Sequence, residues 1–247
     1  MMSTPGSNRS GIAWAIAGGV VLIAGIVAII VAALTSQSSP QEAPTQSWGG
    51  SSSTPAATSE SPVAEGTMVD ASVRERGWIA EPITSDAQTY MVAALQAAST
   101  FDTTKAPRED WLGYLDNWFT PDTRYTAGAD QLAAMEASQV ELRQGVVLPK
   151  EQWDDLARED GRVTASVGEI ALVPVTEDPS GDMSIGTADV TLTFTRSDGA
   201  DGEVSYEEQV RVSVQVLCGP GSVPTSGTRQ RSGDCKVVRY FTEPLEP

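Results

Sequence analysis

Two cysteines, Cys218 and Cys235, are the residues best suited to covalent chemistry, because the chain contains no others. Sixteen residues separate them, and this spacing differs from the Cys-x-x-Cys pattern of redox sites. Lys236 is the one neighbour that would stabilise a thiolate. In an exported domain such a pair is expected to form a structural disulfide, and two free thiols or a redox pair are the alternatives.

The acidic residues form two local groups, and neither has the spacing of a metal site. Asp198, Asp201 and Glu203 resemble a calcium-binding loop only loosely, because that loop needs an oxygen ligand at every second position and a distal glutamate. We therefore interpret residues 198–203 as a hairpin turn. Residues 154–160 carry four acids on the expected solvated face of a helix. Neither group predicts a bound metal ion.

Histidine is absent from all 247 residues, which removes the usual general base, the Ser-His-Asp triad and the commonest metal ligand. The chain also lacks a phosphate-binding glycine loop, a dinucleotide fingerprint and a Gly-x-Ser-x-Gly motif. Its formal net charge of −17 repels nucleic acid and anionic headgroups. We therefore predict a non-enzymatic protein without a cofactor, a metal or a nucleic-acid partner, although Asp, Glu, Tyr or Lys would still permit acid–base catalysis.

One acid breaks an otherwise apolar pattern. Glu208 falls among the inward positions of the strand predicted over residues 204–218, where Val, Tyr and Cys occupy the other alternate sites. In a deep pocket with Tyr90 or Tyr125, this carboxylate would indicate ligand chemistry. We favour the alternative interpretation, an exposed glutamate at a sheet edge.

Residues 11–34 contain no charged or strongly polar side chain and predict a transmembrane helix. Such a helix would be roughly 36 Å long, enough to cross a bilayer core of about 30 Å. A buried core helix or a cleaved signal peptide is the alternative. Arg9 lies in the short tail 1–10 and the next basic residue is Arg74, so the N-terminus is expected to be cytoplasmic and the rest of the chain extracellular.

Residues 35–67 are rich in Ser, Thr, Pro, Gly and Ala and predict a disordered linker. A flexible coil of this length has a root-mean-square reach on the order of 30 Å. Its one large apolar residue, Trp48, is either incidental or a short docking point. Residues 68–247 then form the predicted extracytoplasmic domain.

The first half of this domain shows helical periodicity. Ser85 and Gln88 have the spacing of a capping box, and Pro107 suits the first turn of a second helix. Leu132 and Met135 are expected to point inward from a weaker third helix. The predicted elements are helices at residues 86–99, 107–120, 130–137 and 150–158, with a short strand at residues 140–148.

The second half shows the two-residue period of β-strands. Gly168 marks a candidate β-bulge in the first of them. The clearest strand, residues 204–218, predicts one buried face of even-numbered positions and one wet face of odd-numbered positions, as antiparallel sheets allow. The predicted strands are residues 162–175, 185–196, 204–218 and 236–241.

This order of elements predicts an α+β domain with helices on one face of a curved antiparallel sheet. It resembles the nuclear transport factor 2-like fold. Together with one N-terminal span it resembles the bitopic assembly proteins of type IV secretion and conjugation systems in actinobacterial mobile elements. The resemblance lies in residues 97–104 (AASTFDTT), 108–118, 119–121 (FTP) and the strand 204–218.

The resemblance covers roughly residues 85–241 and rests on architecture, so it transfers no active-site residue. It implies a single-pass cell-membrane scaffold that contacts other channel or secretion-system proteins and self-associates. The competing hypothesis is a cell-surface small-molecule-binding or isomerase-like domain of the same fold. A packed sheet interior favours the scaffold, and a deep pocket holding Glu208 with a tyrosine favours ligand chemistry.

Overall fold

The computed structural model describes residues 67–200 and 202–245. The tail 1–10, the predicted span 11–34, Trp48 and nearly all of the linker 35–67 lie outside the described residues. None of the helices in the described ranges is long and apolar enough to cross a bilayer.

In the part of the chain that the structure describes, four α-helices follow a 3₁₀ helix at Ala71–Arg76. The helix α1 begins behind the side chain of Asp86, whose carboxylate accepts a hydrogen bond of 2.8 Å from the Thr89 backbone N–H. The cap is therefore Asp86 and not the predicted Ser85. The four helices are α1 (Ala87–Ala97), α2 (Arg108–Asp116), α3 (Gly128–Gly145) and α4 (Lys150–Ala157).

The apolar stripe of α2 packs into the core, as its spacing predicts. Trp111 and Leu115 are buried, and Trp118 and Phe119 stay buried beyond the end of the helix at Asp116. Trp111 also joins a cluster of rings with Phe101 and Trp153, in which Phe101 and Trp153 stack at 4.1 Å between centroids. These rings form much of the helix side of the core.

The helix α3 corrects two predictions. Residues 140–145, predicted as part of a strand, continue the helix without a break. Ser138 and Leu142 lie one turn apart and are both buried, whereas Val140 is 46% exposed. Leu132, predicted to point inward, is 53% exposed. The alternation of Val140 and Leu142 was misleading because two apolar residues fit either period, and no helix breaker precedes Gly145.

One antiparallel sheet contains six strands in the order β1-β2-β4-β5-β6, with β3 also paired to β4. The α+β class with helices packed on an antiparallel sheet is confirmed. The helix α1 crosses the sheet over β2, β4 and β5. The strands are β1 (Phe101–Asp102), β2 (Arg162–Val167), β3 (Ala171–Pro174), β4 (Met183–Ser197), β5 (Glu203–Leu217) and β6 (Lys236–Phe241).

The predicted bulge at Gly168 is confirmed by the register. Val167 lies opposite Val190, and Ala171 lies opposite Thr187, so β2 and β3 advance one residue more than β4 does. The extra residue interrupts the ladder, and the Gly168 N–H donates instead to the Asp189 carbonyl at 2.9 Å. The predicted strand 162–175 is therefore two strands.

The strands β4 and β5 form one long hairpin whose two ends differ. At the closed end, defined as residues 183–187 and 213–217, both sheet faces are buried. At the open end, defined as residues 190–197 and 203–210, much of β5 is exposed. The two ends share one continuous register from Met183 opposite Leu217 to Ser197 opposite Glu203.

The single buried face predicted for β5 is wrong at both ends. Val204 and Tyr206, expected inside, are 44% and 45% exposed. Ser213 and Gln215, expected to be wet, are buried, as is Leu217 beside them. A second apolar cluster of Val175, Met183, Leu217 and Val238 covers the odd-numbered face there. Leu245 also lies against this face, where its N–H donates to Ser213 Oγ at 2.8 Å.

Candidate functional site

An open groove of about 380 Å³ lies on the helix side of the hairpin, where the sheet meets the connection between α3 and α4. Its sheet side is mostly apolar and comes from β1, β2, β4 and β5. Its rim contains the chain that leaves β6. The residues that matter below are Phe101, Val163, Leu192, Phe194, Glu208, Val210, Val212, Phe241 and Thr242, with residues 144–149 opposite them.

The hairpin register positions the aromatic wall of this groove. Phe194 of β4 lies opposite Tyr206 of β5, and their rings stack at 4.9 Å with an angle of 3° between planes. Within this pair Phe194 is buried, whereas Tyr206 remains half-exposed. Tyr206 therefore presents an apolar ring with a polar tip beyond Phe194, where it lines a second groove, and such residues are common at protein-binding surfaces.

A more polar groove of about 580 Å³ continues from the first toward the tip of the hairpin. Phe194, Leu148 and Glu208 line both grooves. Within the second, Arg196 forms an exposed ion pair with Glu159 at 2.6 Å. Burial, with a further contribution from Glu208, raises the pKa of Tyr206, so this phenol stays protonated at neutral pH.

The outer edge of β5 is open beside the groove. The strand β6 pairs with β5 only from Ser213 to Leu217. Among the described residues, no strand pairs with Glu203–Val212 on the side away from β4. An open strand edge presents backbone N–H and C=O groups to any extended chain that approaches.

Glu208 lines the groove but does not form the deep acidic pocket that would indicate catalysis. Its side chain is exposed, as the edge interpretation predicts. Tyr90 is buried elsewhere and donates to Glu81. Tyr125 is 46% exposed and lines a separate pocket beside α3. The structure therefore separates Glu208 from Tyr90 and Tyr125, the two tyrosines that a ligand pocket would need beside it.

A buried polar cluster lies outside these grooves, at the start of β6. The Lys236 ammonium donates to Glu81 Oε1 at 2.9 Å, and both side chains are almost completely buried. The same Glu81 oxygen accepts from the Tyr90 hydroxyl at 2.6 Å and from Gln230 Nε2 at 3.0 Å. Lys236 also donates to the Asn117 carbonyl and to Thr225 Oγ1, the latter at 2.8 Å.

The electrostatics of this cluster fit a structural role. Burial lowers the pKa of Lys236, and the nearby Glu81 carboxylate opposes that change. Burial and Glu81 together raise the pKa of Tyr90 well above its ordinary value. Neither Glu81 nor Lys236 lines any of the three pockets described above, so substrate would not reach them.

Sequence reasoning missed this ion pair. Lys236 was noted only as a neighbour of Cys235, and Glu81 was not singled out. The available signal is the position of Lys236 in a strand whose other buried residues are Val237, Val238 and Tyr240. Its partner lies 155 residues earlier in the chain, which no local pattern reveals.

The predicted bridge between Cys218 and Cys235 is present, with an S–S distance of 2.04 Å. It joins the end of β5 to the start of β6 and closes the loop that carries Thr225 and Gln230. The Cys235 N–H donates to the Thr84 carbonyl at 2.7 Å, which holds the same region against the segment before α1. The bridge therefore stabilises the closed end.

The acidic groups behave as turns and surface ion pairs. Asp198 Oδ1 accepts from the Ala200 and Gly202 backbone N–H groups at 2.8 and 2.9 Å, as in a hairpin turn. Asp154 pairs with Lys150, and Asp155 pairs with Arg158. No group of three or more potential metal-ligating side chains occurs within the described residues.

The backbone is similar to two solved structures, at low scores. CagV, a VirB8 homologue of the type IV secretion system from Helicobacter pylori strain 26695, shares 14% identity over 64% of this chain and 96% of CagV, with a TM-score of 0.37. A periplasmic fragment of TraM shares 16% identity over 63% of this chain and 93% of the fragment, with a TM-score of 0.33. No family model matches the chain. No curated protein matches it either.

Proposed function

We propose that this protein is a non-catalytic docking component of a conjugation or type IV-like secretion apparatus. The observation that carries the proposal is the open apolar groove beside an unpaired strand edge. On the open end of the same strand, Val204 and Tyr206 expose about half of their surface, and Tyr206 lines the adjoining polar groove, whereas the residues of β5 at the closed end are buried. Half-exposed aromatic and aliphatic residues beside a groove fit a partner protein better than they fit solvent.

The site chemistry supports docking over catalysis. General acid–base catalysis needs a titratable group within hydrogen-bond reach of the substrate, usually with a second group that orients or balances it. In the apolar groove the ionisable side chains are the exposed Glu208 and Arg211, and neither Tyr90 nor Tyr125 reaches them. The buried charges of Glu81 and Lys236 neutralise each other away from the groove.

The alternative function is a surface domain that binds or isomerises a small molecule. The groove volume is within the range of ligand sites, roughly 300–1,000 Å³. The groove is open along one whole strand edge, however, and would bury less of a small ligand than an enclosed pocket does. This geometry favours an elongated partner.

The place of the domain follows from the N-terminal sequence. Residues 11–34 would anchor the chain in the cell membrane with its N-terminus in the cytoplasm. The linker 35–67 would let the domain range on the order of 30 Å from the bilayer. The sequence resemblance to bitopic assembly proteins assigns the partners to the channel or secretion proteins at that membrane.

Site-specific photo-cross-linking in cells that express the transfer apparatus tests this proposal. A photoreactive phenylalanine analogue replaces Tyr206 in the groove or, as the matched control, Tyr125, which has nearly the same exposure of 46% against 45%. We expect position 206 to cross-link to another component of the apparatus and position 125 not to do so. Absence of a product at 206, or equal products at both positions, would contradict the proposal.

A further inference from the structure

The open edge of β5 results from the early departure of the last strand. The strand β6 ends at Phe241, and the chain then turns away at Thr242 toward Pro244. Leu245 crosses to the odd-numbered face of the sheet, where its carbonyl accepts from Thr187 Oγ1 at 2.8 Å. The position beside Glu203–Val212, in line with β6, is therefore left without a strand of the described chain.

This position adjoins the groove. Val210 and Val212 of β5 line the groove together with Phe241 and Thr242, which mark the point where β6 stops. The ten residues from Glu203 to Val212 offer an edge of roughly 33 Å. An extended segment paired with this edge would continue the line of β6. Alternate side chains of that segment would enter the apolar groove, as in strand-addition complexes.

The charges along the edge select the kind of segment. Glu203 is already bound by Arg162 through two hydrogen bonds of 2.6 and 2.7 Å. Glu207 and Glu208 lie at the middle of the edge, one on each face, and no described basic side chain lies within ion-pair distance of either. Lysine or arginine on a paired strand would lie directly opposite these carboxylates.

The same charges disfavour the two occupants that the chain itself offers. In a second copy paired edge to edge, Glu207 and Glu208 would lie opposite each other, and like charges across a ladder are destabilising. The linker 35–67 contains three glutamates and no lysine or arginine. Either occupant would therefore bring acidic residues, without compensating bases from the linker, against an edge that is itself acidic.

We infer that the β5 edge binds an extended segment of another protein in which apolar residues alternate with lysine or arginine. The segment adds a strand beside Glu203–Val212 and places its apolar side chains in the groove. Its basic side chains lie on the other face of the sheet, where they pair with Glu207. This inference rests on the proposed docking function and names the chemistry of the partner.

Backbone hydrogen exchange on the full chain in lipid nanodiscs tests the inference. The probe is a peptide about ten residues long, matched to the edge, in which valine and lysine alternate. We expect bound peptide to slow exchange at every second amide of Glu203–Val212, since only alternate N–H groups of an edge strand point away from β4. Binding without this alternating protection would overturn strand addition.

Charge reversal tests the basic partner. The double variant Glu207→Lys/Glu208→Lys should weaken binding of the valine–lysine peptide by about tenfold or more, since the attraction at Glu207 becomes a repulsion and Glu208 no longer draws the basic peptide toward the edge. The control variant Glu169→Lys/Glu177→Lys makes the same change in net charge at exposed residues flanking β3 and should bind as the wild type does. Equal weakening by both variants would show non-specific attraction and overturn the assignment.

The same exchange experiment without peptide tests the competing occupants. Protection of alternate β5 amides that grows with protein concentration would show that a second copy fills the edge. Protection of the same amides that does not depend on protein concentration would show that a segment of the same chain fills the edge. Either result overturns the inference. If position 206 cross-links to a partner but the peptide does not protect the β5 amides, strand addition is contradicted and the docking function is not. If position 206 gives no cross-link, the docking function itself is contradicted.

Discussion

The two ends of the β4–β5 hairpin have the same strands, one continuous register and the same alternation of residue types, yet they differ in what covers them. The closed end is covered on both faces and contains the disulfide and the neighbouring Glu81–Lys236 ion pair. Within residues 67–200 and 202–245, the open end has no strand beside β5 on the side away from β4, and it exposes Val204 and Tyr206. What surrounds a strand, and not its own pattern, decides which of its faces is buried.

Breaking the ion pair of the closed end is expected to have the largest effect on stability. Lys236→Met leaves the Glu81 carboxylate buried without its counter-ion and should lower the free energy of unfolding by about 3–5 kcal/mol. Urea unfolding measures this change. The control is Arg162→Met, which removes the exposed partner of Glu203 and should cost no more than about 1 kcal/mol. Similar losses in the two variants would contradict the assigned structural role.

The disulfide should rank second. It closes a loop with a sequence separation of 17 residues, and its loss should lower the free energy of unfolding by about 3 kcal/mol on the chain-entropy estimate. The double variant Cys218→Ser/Cys235→Ser measures this cost. At temperatures below its midpoint of thermal unfolding, the variant should still cross-link to the partner at position 206. Loss of cross-linking in the folded variant would show that the two ends are not independent.

Alkaline pH should destabilise the core through its buried tyrosines. Burial raises the pKa values of Tyr90, Tyr114 and Tyr240, so above the ordinary value of 10.0 the native state keeps protons that the unfolded state loses. Stability should therefore fall with rising pH, by at most about 1.4 kcal/mol per pH unit for each tyrosine.

Lys236 changes the stability in the opposite direction, and it does so over a lower range of pH. Its lowered pKa makes the unfolded state bind more protons, so it favours folding as pH rises toward its ordinary value of 10.5. Above that value only the tyrosine effect continues. Above pH 10, the free energy of unfolding of Tyr240→Phe should fall less steeply with pH than that of the exposed control Tyr125→Phe. Parallel curves would contradict the assignment.

The smallest effect is expected at the open end. Tyr206→Ala removes one ring of the pair with Phe194 and should cost only about 0.5–1.5 kcal/mol, because Tyr206 is already half-exposed. Thermal unfolding measures it, with Tyr240→Ala as the buried counterpart, which should lose about 3–5 kcal/mol. A loss for Tyr206 that matches the loss for Tyr240 would mean that the open end is part of the core.

Local patterns in the sequence predicted most of the elements. The periodicity of α1 and α2, the bulge at Gly168 and the strand Lys236–Phe241 all follow from residue spacing. The prediction was wrong at residues 140–145, where two alternating apolar residues suggested a strand inside the helix α3. Short windows do not distinguish the two periods, and the packing of α3 against β6 decided the outcome.

The candidate site was harder to predict than the fold. Glu208 was correctly interpreted as exposed, but the groove depends on where β6 stops and on which residues face it from the α3–α4 connection. The ion pair of Glu81 and Lys236 joins residues far apart in sequence. Such long-range juxtapositions follow from topology, which residue spacing in one strand does not contain.

The division between a structural end and a docking end is tested most directly by two matched substitutions. Val204→Lys at the open edge and Leu172→Lys on β3 alter side chains of nearly equal exposure, 44% and 45%. Both variants should unfold within about 0.5 kcal/mol of the wild type. The yield of partner cross-linked at position 206 in cells should fall about tenfold or more for Val204→Lys, because it loses apolar contact and opposes a basic segment. It should stay unchanged for Leu172→Lys, and an undiminished yield for Val204→Lys would contradict the docking role of the open end.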